Sequence, residues 1–186
     1  MKITRIHHVA YRCKDAKETV DWYVKYLNMD FVLAIAEDQV PSTGAPDPYM
    51  HVFLDAGMGN VLAFFELPSQ APMGRDQNTP AWVQHLAMEV ASMDELLAAK
   101  ERLQADGIEV IGPTDHTIFK SIYFFDPNGH RLELAVNTAT PEMQQKLDAV
   151  KWDMLNEWSQ TRKAPKHAAW MHEKPRADQP DQPDQH

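Results

Sequence analysis

Two histidines, His8 and His85, and two glutamates, Glu66 and Glu133, occupy matching places in two halves of this chain. Two imidazoles with one or two carboxylates make a borderline-hard donor set suited to Fe(II), Mn, Ni or Zn. A strand histidine is commonly a packed residue, and a strand glutamate commonly faces water. Recurrence at equivalent positions is what points to a metal. Strand alternation sets His8 on the side of Ile6 and Ala10, and Glu66 on the side of Phe64. If each half curls into a half-barrel, all four side chains can enter one shared concavity.

The elements that must position them are legible as an internal repeat. "HHVAYRCKDAKETVDWYVKYLNMDFVL", from His7, aligns without a gap on "QHLAMEVASMDELLAAKERLQADGIEV", from Gln84. His8 falls on His85, Ala10 on Ala87 and Phe31 on Ile108. Each unit opens with a β-rich run and then signals a helix start, Asp15 with Glu18 and Ser92 with Glu95, spaced as in a capping box. The helices carry apolar stripes, Val20, Tyr23, Val24 and Leu27 in one, Leu96, Leu97 and Leu103 in the other. Strands follow at "HVFLD" and "NVLAFFEL", and again at "SIYFFD" and "HRLELAV", the latter pair joined by an Asp-Pro-Asn-Gly turn.

The expected class is therefore α+β, with two tandem βαβββ modules forming a cupped, half-barrel mixed sheet. The first module spans 1–67 and the second 82–140, with a Pro-rich linker over 68–81. An amphipathic helix over 141–163 starts at Pro141, and the Pro/Asp/Gln-rich tail over 164–186 reads as largely disordered.

Bulk properties narrow the partners. A formal charge of −9 repels nucleic acid and anionic membrane surfaces. No apolar run approaches the roughly 20 residues that span a bilayer. Cys13 is the sole cysteine, so no intramolecular disulfide forms. A cytoplasmic enzyme or binding protein acting on a small molecule is the expectation.

The paired units, with "HHVAY", "FFEL", "QHLAMEV" and "DPNGHRLEL", resemble the vicinal oxygen chelate superfamily over about residues 3–137. The resemblance implies a divalent metal held by His8, His85, Glu133 and Glu66, and a substrate with vicinal oxygens. It also implies a homodimer or higher assembly, the modules pairing either within one chain or across two. The family's chemistries include ring-cleaving extradiol dioxygenases, glyoxalase-type lyases and isomerases, and metal-free binding or resistance proteins.

Within that family, "HTIFKSIYFFDPNGHRLE" looks like the type I extradiol dioxygenase signature, with His116, Ile122, Tyr123, Asp126, Pro127, Gly129 and Glu133 at its positions. The implied reaction is oxidative cleavage of a catechol-like diol by O₂. Fe(II) is the favoured metal, held by two histidines and a carboxylate, with Zn, Ni or Mn as alternatives. Tyr123 would hydrogen-bond a substrate oxygen, and His116 would hydrogen-bond substrate and move protons. Two features depart from that pattern. Residues 67–84 hold no histidine where extradiol enzymes carry a distal acid–base histidine. Glu66, followed by leucine, looks instead like the fourth ligand of lactoylglutathione lyase, which suits enediolate chemistry on Zn or Ni.

Overall fold

Each helix begins where its capping residue says it should. The computed structural model describes residues 1–172. In it the Asp15 carboxylate accepts the Glu18 N–H at 2.7 Å and starts α1, Ala16–Leu27. The Ser92 hydroxyl accepts the Glu95 N–H at 3.2 Å and starts α2, Met93–Ala105. Each cap satisfies an amide that the helix leaves orphaned, an effect of about 1 kcal/mol.

Around α1 run β1 (Val9–Cys13), β2 (Asp30–Gln39), β3 (Pro46–Asp55) and β4 (Val61–Glu66), in the sheet order β1-β4-β3-β2. Around α2 run β5 (Leu86–Glu89), β6 (Ile111–Asp115), β7 (Phe119–Phe125) and β8 (Arg131–Asn137), in the order β5-β8-β7-β6. The first and last strands of each module pair parallel and the rest antiparallel, so the two sheets share one topology. This is the duplicated βαβββ architecture that the repeat predicts.

Alternation gives each sheet one face for its helix. Leu54, Leu62 and Phe64 bury against α1, where the Tyr23 ring lies 5.0 Å from Phe64. Ile122, Phe124, Leu132 and Leu134 bury with Leu96 and Leu103 of α2, and both groups belong to one continuous core. Each such side chain contributes about 1.5–3 kcal/mol by leaving water.

The Asp-Pro-Asn-Gly turn does more than reverse the chain. The Asp126 carboxylate accepts N–H groups from Asn128 at 2.9 Å and His130 at 2.7 Å, and also the Tyr23 hydroxyl of the other module at 3.1 Å. Burial, and then the Asp126 charge, hold the Tyr23 phenol well above its ordinary pKa, so it stays a donor. Nearby, Lys14 N–H reaches Asn128 Oδ1 at 2.8 Å and His130 Nε2 donates to the Arg12 carbonyl at 2.7 Å. At the far end of α1, Arg102 donates to the Tyr26 carbonyl at 2.6 Å. The modules are thus latched through α1, the β7–β8 turn and α2.

Gly112 fixes the last sheet. Its φ is +102°, and a Cβ there would fall 2.5 Å from the Ser121 carbonyl, so only glycine fits. The irregularity it makes with Pro113 lets β6 carry a proline, which has no N–H to offer the ladder. β7 is thereby held closely at Ser121, next to the candidate site.

The C-terminal helix, expected over 141–163, is α3, Pro141–Thr161, capped by the Thr140 hydroxyl. None of its residues is buried, and Trp152, Leu155 and Trp158 are exposed. Residues 164–172, expected to belong to the tail, are placed against the second module. Ala168 is buried and the Thr117 hydroxyl donates to the Met171 carbonyl at 2.8 Å. The rest of the expected tail lies outside the described residues. No described helix is long and apolar enough to cross a membrane.

Candidate metal centre

Glu133 sits on the sheet face turned away from α2. It stands opposite Ala87 of β5 and Tyr123 of β7, and it is only 3% exposed. A buried carboxylate needs partners, and Glu133 has two. The Ser121 hydroxyl donates to Oε1, and His85 Nε2 lies 3.0 Å from Oε2. The other nitrogen of His85, Nδ1, is 3.0 Å from the Val83 carbonyl. A carbonyl can only accept, so Nδ1 carries a hydrogen and the lone pair of the neutral ring, on Nε2, points at the carboxylate. Two acceptors facing each other demand a positive charge between them, either a proton or a cation. Donors each about 2.1 Å from a shared ion, at right angles, stand about 3 Å apart. The pair fits two adjacent positions on such an ion, and Val83 and Ser121 orient the donors as outer-shell groups do.

His8 lies on the open face of the first sheet, just before β1. Its ring neighbours are His51 at 6.2 Å and Phe53 at 5.7 Å, and its Nδ1 is 2.8 Å from His7 Nδ1. His51, which the sequence reading missed, stacks on Phe65 at 3.5 Å and has a buried Nε2 without a hydrogen-bond partner. Burial, followed by the charge on His8, lowers its pKa, so His51 is held neutral. Among the described residues, no group of three or more His, Cys, Asp or Glu is assembled to hold a metal ion. One chain therefore brings His85 and Glu133 together and leaves His8 apart from them.

Glu66 points the other way. It follows the alternation of Phe64 onto the α1 side, and its Oε2 accepts the Ala16 N–H at 2.7 Å in the first turn of α1. Strand register explains the difference from the expected equivalence. Ala10 faces Ala63 in the first module as Ala87 faces Glu133 in the second, so the counterpart of Glu133 is Ala63. Glu66→Ala is expected to leave metal content unchanged and to lower stability by about 1 kcal/mol, the cost of an orphaned helix-start amide. Elemental analysis alongside thermal unfolding checks both.

Tyr123 and His116 meet beside the pair. His116 Nε2 is 2.8 Å from the Tyr123 hydroxyl, and Tyr123 stands directly opposite Glu133 on the ladder. Burial and then the Glu133 charge raise the Tyr123 pKa, which keeps the phenol protonated. Ser121 and Arg131 share this face and were also missed; the Arg131 guanidinium lies 4.4 Å from the Tyr123 ring centre. The signal was available, since residues 121, 123, 131 and 133 alternate onto one side of a hairpin.

Duplicated βαβββ modules with a His–Glu couple on an open sheet face define a class of fold and site. The chain belongs to the Glyoxalase/Bleomycin resistance protein/Dioxygenase superfamily, whose model matches residues 5–134. It is 27% identical over 140 residues to "Putative ring-cleaving dioxygenase MhqA" of Bacillus subtilis, covering 74% of this chain and 42% of that protein. It is 36% identical over 72 residues to biphenyl-2,3-diol 1,2-dioxygenase 3 of Rhodococcus globerulus, covering 37% of this chain and 38% of that one. The chain thus spans about two fifths of the length of these curated relatives. Among solved structures, the fosfomycin resistance protein FosX of Listeria monocytogenes superposes with a TM-score of 0.54 at 22% identity, covering 77% of this chain and 99% of that one. A mutant form of that FosX was solved in complex with Mn(II) and a dihydroxypropylphosphonic acid.

Proposed function

We propose that this protein is a divalent-metal enzyme that cleaves the ring of a catechol-like diol with O₂. The observation that carries the reading is the hydrogen-bonded His116–Tyr123 pair, set opposite Glu133 on one face of the second sheet. A bound Fe(II) would supply Lewis acidity toward adjacent hydroxyls and the redox capacity that O₂ chemistry needs. His85 and Glu133 would hold it, their lone pairs aimed by Val83 and Ser121. Tyr123 and His116 would handle protons. A substrate hydroxyl donating to the Tyr123 oxygen, while Tyr123 donates to His116 Nε2, makes a relay that ends on the imidazole.

The third donor in this reading is His8 of a second copy. Supporting this, His8 is exposed on the open face of the first sheet, where the far edge strand β2 leaves Leu33 and Ile35, opposite Phe53 and His51, 38–48% exposed, apolar surface that asks to be covered. Mixing a His8→Ala protein with a Glu133→Gln protein is expected to restore metal binding at one site per mixed dimer. Absence of any recovery after subunit exchange would put the site within one chain.

The lyase reading asks for a fourth ligand, a second carboxylate, on the same face, and Glu66 is engaged with Ala16 on the other. Anaerobic reconstitution with Fe(II), followed by 2,3-dihydroxybiphenyl and O₂, is expected to give the yellow ring-fission product. Hemithioacetal isomerisation under Ni or Zn, with no colour under iron, would replace dioxygenase by lyase. Near-zero metal content with tight ligand binding would favour a metal-free binding protein.

A further inference from the structure

Beside His85 lies a cleft of about 450 Å³, large enough for a one-ring ligand, whose walls include Tyr11, Gly74, Arg75, His85, His130 and Arg131. Its electrostatics run against those of the chain, which carries −9 overall. Arg131 is half-buried, its Nε is shielded from solvent without a hydrogen-bond partner, and its guanidinium rests on the Tyr123 ring. Arg75 rests 5.3 Å from the ring of Phe125, the residue opposite Arg131 on the ladder. Among the described residues neither arginine is in an ion pair. The acid in the cleft wall, Asp76, is already committed to the Thr79 hydroxyl at 2.5 Å and the Asn78 N–H at 2.9 Å.

A guanidinium with a shielded, unpaired N–H is costly to leave so, and its planar fork matches a carboxylate. Stacking on Tyr123 satisfies its flat face and leaves the N–H edge unspent. Arg131 also shares the face of Glu133, two positions along β8, so an anion held there lies one substituent away from oxygens directed at the His85–Glu133 pair.

We propose that this cleft is a subsite for the anionic group of the substrate, with Arg131 its main contact. The substrate class is then an aromatic diol bearing a carboxylate on a short side chain. This rests on the diol-cleaving reading for the ring, whereas the anion subsite stands on Arg131 itself.

Calorimetric titration without O₂ separates the two. The probes are 3,4-dihydroxyphenylacetate and its methyl ester, then phenylacetate and its methyl ester, which lack the diol. The wild-type protein is expected to bind each acid about tenfold or more tightly than its ester, the scale of one charge-assisted contact. Arg131→Met, which keeps the stem over Tyr123, is expected to bring the ratio within about twofold, and Arg131→Lys, a point charge without the fork, to retain only part of it. A merely structural arginine would change acid and ester alike. If ring cleavage fails but phenylacetate still binds in an Arg131-dependent way, the subsite stands and the diol reading falls. Equal binding of acid and ester by the wild type, or a preference unchanged in Arg131→Met, overturns the proposal.

Discussion

His85→Ala is expected to abolish stoichiometric binding of a divalent metal, with the fold retained. His85 is a third exposed and meets the Tyr123 ring only edge-on at 6.1 Å, so its removal opens no closed cavity. What it does remove is the lone pair facing Glu133, and with it one of two adjacent donors. Losing one ligand of a three-donor set forfeits most of the binding free energy of a site that must compete with water. The variant also leaves Glu133 Oε2 buried beside nothing, at a cost of about 1–3 kcal/mol. Adding Glu133→Gln is expected to recover much of that stability without recovering metal, because a neutral amide tolerates burial better than a lone carboxylate. Elemental analysis and denaturant unfolding of the two variants measure both effects. Unchanged metal content in His85→Ala would remove the ligand assignment.

How far such a site can be seen in advance depends on what sets each side chain's direction. The duplicated βαβββ order was legible because Asp15 and Ser92 announce their helices and the two first strands align residue for residue. The His85–Glu133 contact follows from strands that pair in parallel, one face apolar and the other not. Glu66 was harder. "LAFFEL" is apolar at every position but one, so its alternation has no polar face to declare which side is wet. A shift by one residue sends each side chain to the opposite face, and only the ladder, Ala63 against Ala10, fixes it. His51 was hidden for a related reason, since a histidine inside "HVFLD" looks like one more packed ring until its unpartnered nitrogen is seen. The latch made by Asp126, Asn128 and Tyr23 could not be read from the turn motif either. It joins residues more than a hundred positions apart, and a turn motif carries only local information.

In the proposed ring cleavage, the absence of histidine in residues 67–84 would leave His116 and Tyr123 to manage protons together, which makes a sharp expectation about their coupling. Tyr123→Phe and His116→Gln are each expected to lower kcat by about 10²–10⁴, the usual worth of positioned acid–base groups, with metal content unchanged. Because the two side chains share one hydrogen bond of 2.8 Å, the second substitution acts on a relay already broken. The double variant is then expected to be no slower than the slower single variant, a coupling that independent sites do not show. KM for the diol is expected to move much less than kcat, since the pair acts on protons rather than on holding the ring. Losses that multiply in the double variant would mean that the residues work separately. A fall in metal content in either single variant would mean that they support Glu133, which Tyr123 faces, rather than the chemistry.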